Sequence, residues 1–382
     1  MFPTRAMTIL GGDEFRDEYS LAFDGSNDFI DFGDTNDLGT GDFSITAWIK
    51  AADYADFYIL SKYQTSGIRW YFAINSSDKV TFYGNPASGT TLSMSGTGAL
   101  TGAHLNNWVH VTFSCDRDGN MRTFINGVFD KTASGSAIDL DNSASLVTAC
   151  RNDGSSHVTG SISEITMYNI ALSDSQVATI YNDREPYNHK EGVASGNLTS
   201  WWRMGDGVLD RFNLVGDETN ATIGDEQILD DKNETGFAST DWAVYNIAGG
   251  NLTVVSSKLQ VVTETDEANE GVQLDNSKLT TPVVGKIYRI SAELQQTAGA
   301  TTPTMYFDYA GTASESFTIT GDSVIYTKYI LATNAGSDLF IYNAASASAT
   351  TFKIDNVSVK IVNGTPGVML NMTASDFTGD TP

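Results

Sequence analysis

The chain sets 47 aspartates and glutamates against 22 lysines and arginines, a formal charge of −25 over 382 residues. So acidic a surface repels phosphate backbones, which argues against nucleic acid as a partner, and it keeps copies soluble and apart. Hydrophobic residues make up 41%, enough for sizeable cores, and two cysteines are too few for a disulfide framework.

Residues 1–17 read as an N-terminal arm rich in glycine and charge. The arm has no apolar run suited to a signal h-region, and no stretch of the chain is expected to span a bilayer. A first domain is expected over 18–184. Its strand 43–49 alternates, with Phe43, Ile45, Ala47 and Ile49 on one face and Ser44, Thr46 and Trp48 on the other. Residues 69–74 and 79–83 predict a hairpin around Ser76-Ser77-Asp78. Strands 108–115 and 121–126 predict another around Asp118-Gly119-Asn120, and Asn126-Gly127 is a tight-turn signal. Cys115 falls on an apolar strand face with Val109, Val111 and Phe113, so it reads as a buried thiol, with a bridge to Cys150 as the alternative. One helix is predicted, 174–181, capped by Ser173 with Gln176 three residues on, and with Leu172, Val177, Ile180 and Tyr181 toward the sheet.

Residues 185–224 read as a connector whose LTSWWRMGDG segment (198–207) packs as a strand on the first domain, since exposed Trp201 and Trp202 would be sticky. From about residue 225 to 362, eight short strands predict a second sandwich. Its last strand changes phase between Ile354 and Val357, which predicts a β-bulge at Asp355-Asn356. Residues 363–382 read as a C-terminal tail without a strand partner.

Four blocks carry a family resemblance: YSLAFDGSNDFIDFGD (19–34), FSITAWIK (43–50), NNWVHVTFSCDRDGNMRTFINGVFD (106–130) and GSISEITMYNIALSDSQVATIYN (160–182). In sequence and order they resemble the laminin-G-like, concanavalin A-type lectin/glucanase domain. STDWAVYNIAGGNLTVVSSKLQV (239–261) and FKIDNVSVK (352–360) resemble the opening and closing of carbohydrate-binding-module jelly rolls, and the tail resembles those of phage virion proteins with lectin-like domains. The expected fold is therefore all-β: two tandem antiparallel β-sandwiches, a concanavalin A-like jelly roll followed by a smaller carbohydrate-binding-module-like jelly roll.

Glucanases of this fold place paired carboxylates in an E-x-D-x-E or E-x-D-x-x-E strand, where alternation puts them on one face. Around Ser163–Thr166 this chain offers only Glu164. The string Glu264–Glu270 is one residue too long and reads as a polar loop. His104, His110, His157 and His189 show no paired metal spacing. No catalytic residues are expected. Glycan binding needs aromatic faces for sugar C–H groups and polar side chains for hydroxyls; the candidates are Trp48, Trp242, Tyr245, Tyr306, Asp308 and Tyr342, with core packing as the competing role for each ring. The lectin-like resemblance implies calcium candidates at Asp24, Asn27 and Asp28, and the jelly-roll resemblance implies one at Asp355.

The resemblances imply a non-enzymatic phage virion surface protein, a capsid decoration or tail-fibre component, made in the host cytoplasm. It would hold other virion proteins through its N-terminal arm and C-terminal tail, adhere to host-surface glycans and form a homo-oligomer such as a trimer. The alternatives are a secreted bacterial carbohydrate-binding or adhesin protein and, third, a polysaccharide hydrolase.

Overall fold

A computed structural model describes residues 15–382 except 65, 152–154, 208, 211–212, 230–240, 248–250, 265–267, 300–301, 315, 337 and 345–348. The strands assemble into four antiparallel sheets that form two sandwiches, so the all-β expectation holds. Among the described residues no helix is long and apolar enough to cross a membrane.

In the first sandwich one sheet centres on Phe43–Lys50, flanked by Val109–Cys115 and Thr159–Tyr168. The other runs through Phe29–Asp31, Val147–Thr148, Phe57–Lys62, Arg69–Ile74, Lys79–Asn85 and Leu92–Ala99. Alternation works as read: Phe43, Ile45, Ala47 and Ile49 enter the core, where Phe82 stacks on Phe113 with centroids 4.5 Å apart. Asn126 and Gly127 adopt φ of 48° and 72°, which a right-twisted two-residue hairpin turn requires and glycine tolerates without strain. Cys115 and Cys150 are both buried thiols with no disulfide between them.

The helix forms at Asp174–Tyr181 with the full capping box, Ser173 accepting from the Gln176 N–H and Gln176 from the Ser173 N–H. Leu198–Trp202 pairs with Thr159–Tyr168, which sends Trp202 inward beside Phe32 and Trp201 outward. Both tryptophans are buried.

The second sandwich has one sheet ordered through Leu252–Val255, Lys258–Val262, Thr351–Asn363, Ile287–Ala298 and Val324–Leu331. The other runs through Trp242–Tyr245, Glu270–Leu274, Leu339–Asn343, Thr304–Tyr309 and Thr312–Ala313. The expected bulge is present: the register slips between Ser358 and Asp355, and Asn356 takes φ 50°. The slip lets Phe352, Ile354, Val357 and Val359 all reach the core.

The C-terminal segment departs from the sequence reading. Gly367–Leu370 pairs with Phe29–Asp31 and Leu214–Val215, and Phe377–Thr378 pairs with Ser20–Asp24. Met369 and Met372 enter the first core. Beyond Asn363, which closes the second sandwich, the chain thus returns to supply two strands of the first rather than a free tail, and the second sandwich is inserted within the first. At the neck Thr222 opposes Asn363, and the Asn220 side chain accepts from the Thr365 N–H at 3.1 Å. Four residues of alternation bracketed by Gly, Pro and Asn cannot be told from a loop in sequence, and the partner strand lies far away in the chain. At the other terminus Arg16 is bound through its carbonyl by Arg203; residues 1–14 of the expected arm lie outside the described residues.

Candidate functional site

Four of the six expected glycan-binding residues meet on one face of the second sandwich. Register explains why: Tyr245 opposes Gly271, Gly271 opposes Tyr342, and Tyr342 opposes Tyr306. Side chains alternate along each strand, so this row points outward while Trp242, Val272, Ile341, Met305 and Phe307 point into the core. Tyr306 and Tyr342 stack with centroids 5.5 Å apart and planes 15° apart. Tyr245 leans over the gap, 5.9 Å from Tyr342 and 4.6 Å from Phe340. Gly271 makes the lean possible, because a Cβ there would fall 2.8 Å from the Tyr342 Cβ.

The adjacent row supplies polar groups. Asp308 and Gln273 both oppose Phe340, one from each side. All these side chains are half-buried, so each keeps part of its surface accessible. Burial raises the Asp308 carboxyl above the usual range. Burial, with Asp308 and the neighbouring tyrosines, pushes the Tyr342 phenol up to about 12, so the hydroxyl stays neutral and able to donate. The arrangement offers an aromatic platform for sugar C–H faces, bordered by one carboxyl and one amide for hydroxyls.

The other two expected residues are core residues. Trp242 is 3% exposed inside the second sandwich, because it is one residue out of phase with Ala243 and Tyr245. Trp48 is 7% exposed. It lies on the outer face of its sheet, as alternation requires, but the helix covers that face and Trp48 packs on Tyr181 at 5.6 Å and His110 at 5.1 Å. A polar strand face here is a second packing layer, and period-two reading cannot see what lies over it.

His110 has titration consequences in that layer. It is 1% exposed, and burial lowers its imidazole to about 3. A base with a depressed folded pKa contributes stability that is present above its unfolded value of about 6.5 and lost as pH falls toward the folded value. His110→Phe should therefore match the wild type in urea midpoint at pH 7 and exceed it at pH 4.5 by about 2 kcal/mol. A difference independent of pH would remove the histidine from the acid limb.

The carboxylates read as calcium ligands have other partners. Asp24 Oδ1 accepts from the Ser26 N–H at 2.7 Å, Asp28 Oδ2 accepts from the Asp24 N–H at 3.1 Å, and the Asn27 carbonyl accepts from Asn371 at 3.0 Å. Asp355 faces the Lys258 ammonium at 3.5 Å. Among the described residues no three His, Cys, Asp or Glu side chains converge as a metal-binding group. Lys62 supplies an internal cation in the loop at 34–37, where its buried ammonium meets Asp34 at 2.8 Å, Asp37 at 2.5 Å and the Thr35 carbonyl at 3.0 Å.

Carboxylates elsewhere are similarly engaged. Glu164 sits at a bulge in Thr159–Tyr168 with φ 50°, buried against Arg203 and Trp201. Of the Glu264–Glu270 string, residues 265–267 lie outside the described residues; Glu270 is buried, and its carboxylate accepts from the Glu264 N–H.

No curated protein matches the chain. Among solved structures it is similar to a native heptameric SAP-like pentraxin from Limulus polyphemus, at 17% identity over 47% of this chain and 85% of the pentraxin, with a TM-score of 0.36. A putative carbohydrate binding protein from Bacteroides ovatus shares 16% identity over 53% of this chain and 56% of its own, with a TM-score of 0.40. The CBM40 of the IT-sialidase from Ruminococcus gnavus, bound to α2,3 sialyllactose, shares 14% identity over 42% of this chain and 96% of its own, with a TM-score of 0.34. The sequence of residues 24–178, which make up most of the first sandwich, matches the family described as the Concanavalin A-like lectin/glucanases superfamily.

Proposed function

We propose that this protein is a non-catalytic carbohydrate-binding protein that lays a glycan across Tyr245, Tyr342 and Tyr306, with Asp308 and Gln273 taking sugar hydroxyls. The observation that carries the reading is the outward aromatic row itself, three tyrosines in register across four strands over a glycine gap. Three half-buried rings on the outer side of one sheet add little to the core beneath them, whereas they match the apolar faces of consecutive sugars. The non-catalytic part of the reading is supported by Glu164, whose carboxylate is held by Arg203 and Trp201 inside the protein.

Affinity electrophoresis in soluble xylan, arabinan and mixed-linkage β-glucan tests this. The wild type should be retarded by at least one of them, and Tyr342→Ala should weaken that binding at least tenfold, about 1.4 kcal/mol, with unchanged thermal unfolding. Migration unaffected by all three polymers, or equal retardation of the variant, would sink the reading.

The wider setting we propose is the surface of a phage particle, as a capsid decoration or tail-fibre component. The support is the charge of −25 and the resemblances in the sequence. Single sites of modest affinity become firm attachment when many copies share a particle. Contact with other virion proteins then falls to surfaces other than residues 367–378, which are committed to the first sandwich.

A further inference from the structure

The two rows of the aromatic face on the second sandwich hold one acid and no cation. Beside Tyr245, Gly271, Tyr342 and Tyr306 a second row runs in register across five strands: Ala243 opposes Gln273, Gln273 opposes Phe340, Phe340 opposes Asp308, and Asp308 opposes Ala313. Asp308 is the single aspartate, glutamate, lysine or arginine in the pair of rows. Burial acts on its carboxyl with no donor or cation to offset it. Its charge is near enough to the rings to help hold the Tyr342 phenol up. Asp308 and the four rings, Tyr245, Tyr306, Phe340 and Tyr342, are half-buried, so a ligand can reach each of them.

Other enclosed acids of this chain are answered from within: Glu164 has Arg203 at 3.0 Å, and Glu293 has Lys258 at 2.6 Å. A partly desolvated carboxylate without such a partner costs free energy that an incoming donor recovers. The surroundings keep the sign negative. Asp241, Asp275 and Asp338 flank the ends of the strands that carry the rows, with Lys278 set against Asp241 at 3.4 Å, on a chain of charge −25. The outward tyrosines of the first sandwich differ in this respect: Tyr71 and Tyr83 stack at 5.3 Å, but the Arg151 charge acts on the Tyr71 phenol.

We propose that the aromatic face selects an amino saccharide, a sugar chain carrying protonated primary amines, with an ammonium set against the rings and paired with Asp308. This rests on the carbohydrate reading above and names its ligand class. Charge complementarity selects the ligand. An ammonium is drawn to the negative faces of aromatic rings, and the attraction grows as water is excluded. The same group brings Asp308 both hydrogen-bond donors and the opposite charge. A neutral sugar hydroxyl would donate to Asp308 but leave its charge unbalanced. A uronic acid or sulfated sugar would meet repulsion from Asp308 and from the surrounding field, which instead concentrates a cationic chain near the protein.

The test is calorimetric titration of the full chain with β-1,4-linked pentaglucosamine and with its N-acetylated counterpart, at pH 6, where the sugar amines are protonated. The two share their sugar rings and differ in charge. The amine form should bind about tenfold or more tighter. Asp308→Asn should remove most of that preference and leave the N-acetylated form binding as before, with thermal unfolding unchanged. Asp183→Asn, at an exposed acid on the first sandwich, should leave the preference intact, which separates a specific pair from attraction to the overall charge. Tyr342→Ala should weaken both forms. Equal affinity for the two forms, a preference that survives Asp308→Asn, or binding of neither would overturn the inference. The carbohydrate reading would still stand if a neutral polymer retards the wild type and not Tyr342→Ala.

Discussion

Cutting the chain after Val362 should unfold the first sandwich, although that sandwich begins at the other end of the sequence. The lost segment takes two buried core side chains, Met369 and Met372, and the strand at Gly367–Leu370 that lies between Phe29–Asp31 and Leu214–Val215. It also takes the Thr365 carbonyl that accepts from the Trp202 indole at 2.7 Å, and Asp380, which meets Lys50 at 2.5 Å and Trp108 at 3.2 Å. Emptying each methionine site costs about 2–5 kcal/mol. The exposed Lys50 pair adds less than about 1 kcal/mol. The sum rivals the roughly 5–15 kcal/mol that a whole domain holds.

Removing the far longer stretch 221–363 and joining Asn220 to Gly364 should do less harm. The neck residues already touch, with a Cβ on Gly364 falling 2.7 Å from the Asn220 carbonyl oxygen. That deletion bares Leu214 and Val368, a solubility cost but not a loss of core. Limited proteolysis and near-ultraviolet circular dichroism compare the two. A stable first sandwich in the short truncation, or its collapse in the internal deletion alone, would reject the inserted arrangement.

Period-two patterning made much of this legible. The faces of Phe43–Lys50, the capped helix and the bulge at Asp355-Asn356 are local features, readable because a strand or a cap leaves its mark within a few residues. Alternation also sets Tyr306 with Asp308 on one strand, and Tyr342 on another, opposite their apolar neighbours, but that they form one row follows from the cross-strand register. The burial of Trp48 and Trp242 was not legible, because whether a ring is covered depends on elements remote in sequence, the helix in one case and strand phase in the other. Tyr71 stayed hidden within RWYFAI, where every side chain after Arg69 is apolar or aromatic and the outward ring does not stand out. The pairing of Gly367–Leu370 with Phe29–Asp31 is the extreme case, since no local signal links segments that far apart.

Arg203→Met should destabilise the first sandwich by about 3–5 kcal/mol, the usual consequence of stripping one partner from a buried ion pair. Arg203 is 8% exposed, and its Nε meets Glu164 at 3.0 Å. It also donates to the carbonyls of Asp206 at 3.1 Å and Arg16 at 2.5 Å, and it lies 4.3 Å from the Phe15 ring centroid. One guanidinium thus anchors the N-terminal segment and offsets the buried acids Glu164 and Asp17, whose carboxyls burial drives upward. Without it the Glu164 carboxyl rises further. An acid with a raised folded pKa contributes stability that is present below its unfolded value and lost as pH climbs through the folded one. The damage in Arg203→Met should therefore be smallest near pH 5 and largest near pH 8. Glu164→Gln added to Arg203→Met removes the titrating group, so the double variant should regain stability at pH 8 and little at pH 5. Comparing the two variants also cancels the histidine effect of acid pH, which runs in the opposite direction. If urea midpoints of the single and double variants differ by the same amount at both pH values, lost packing rather than stranded charge explains the loss.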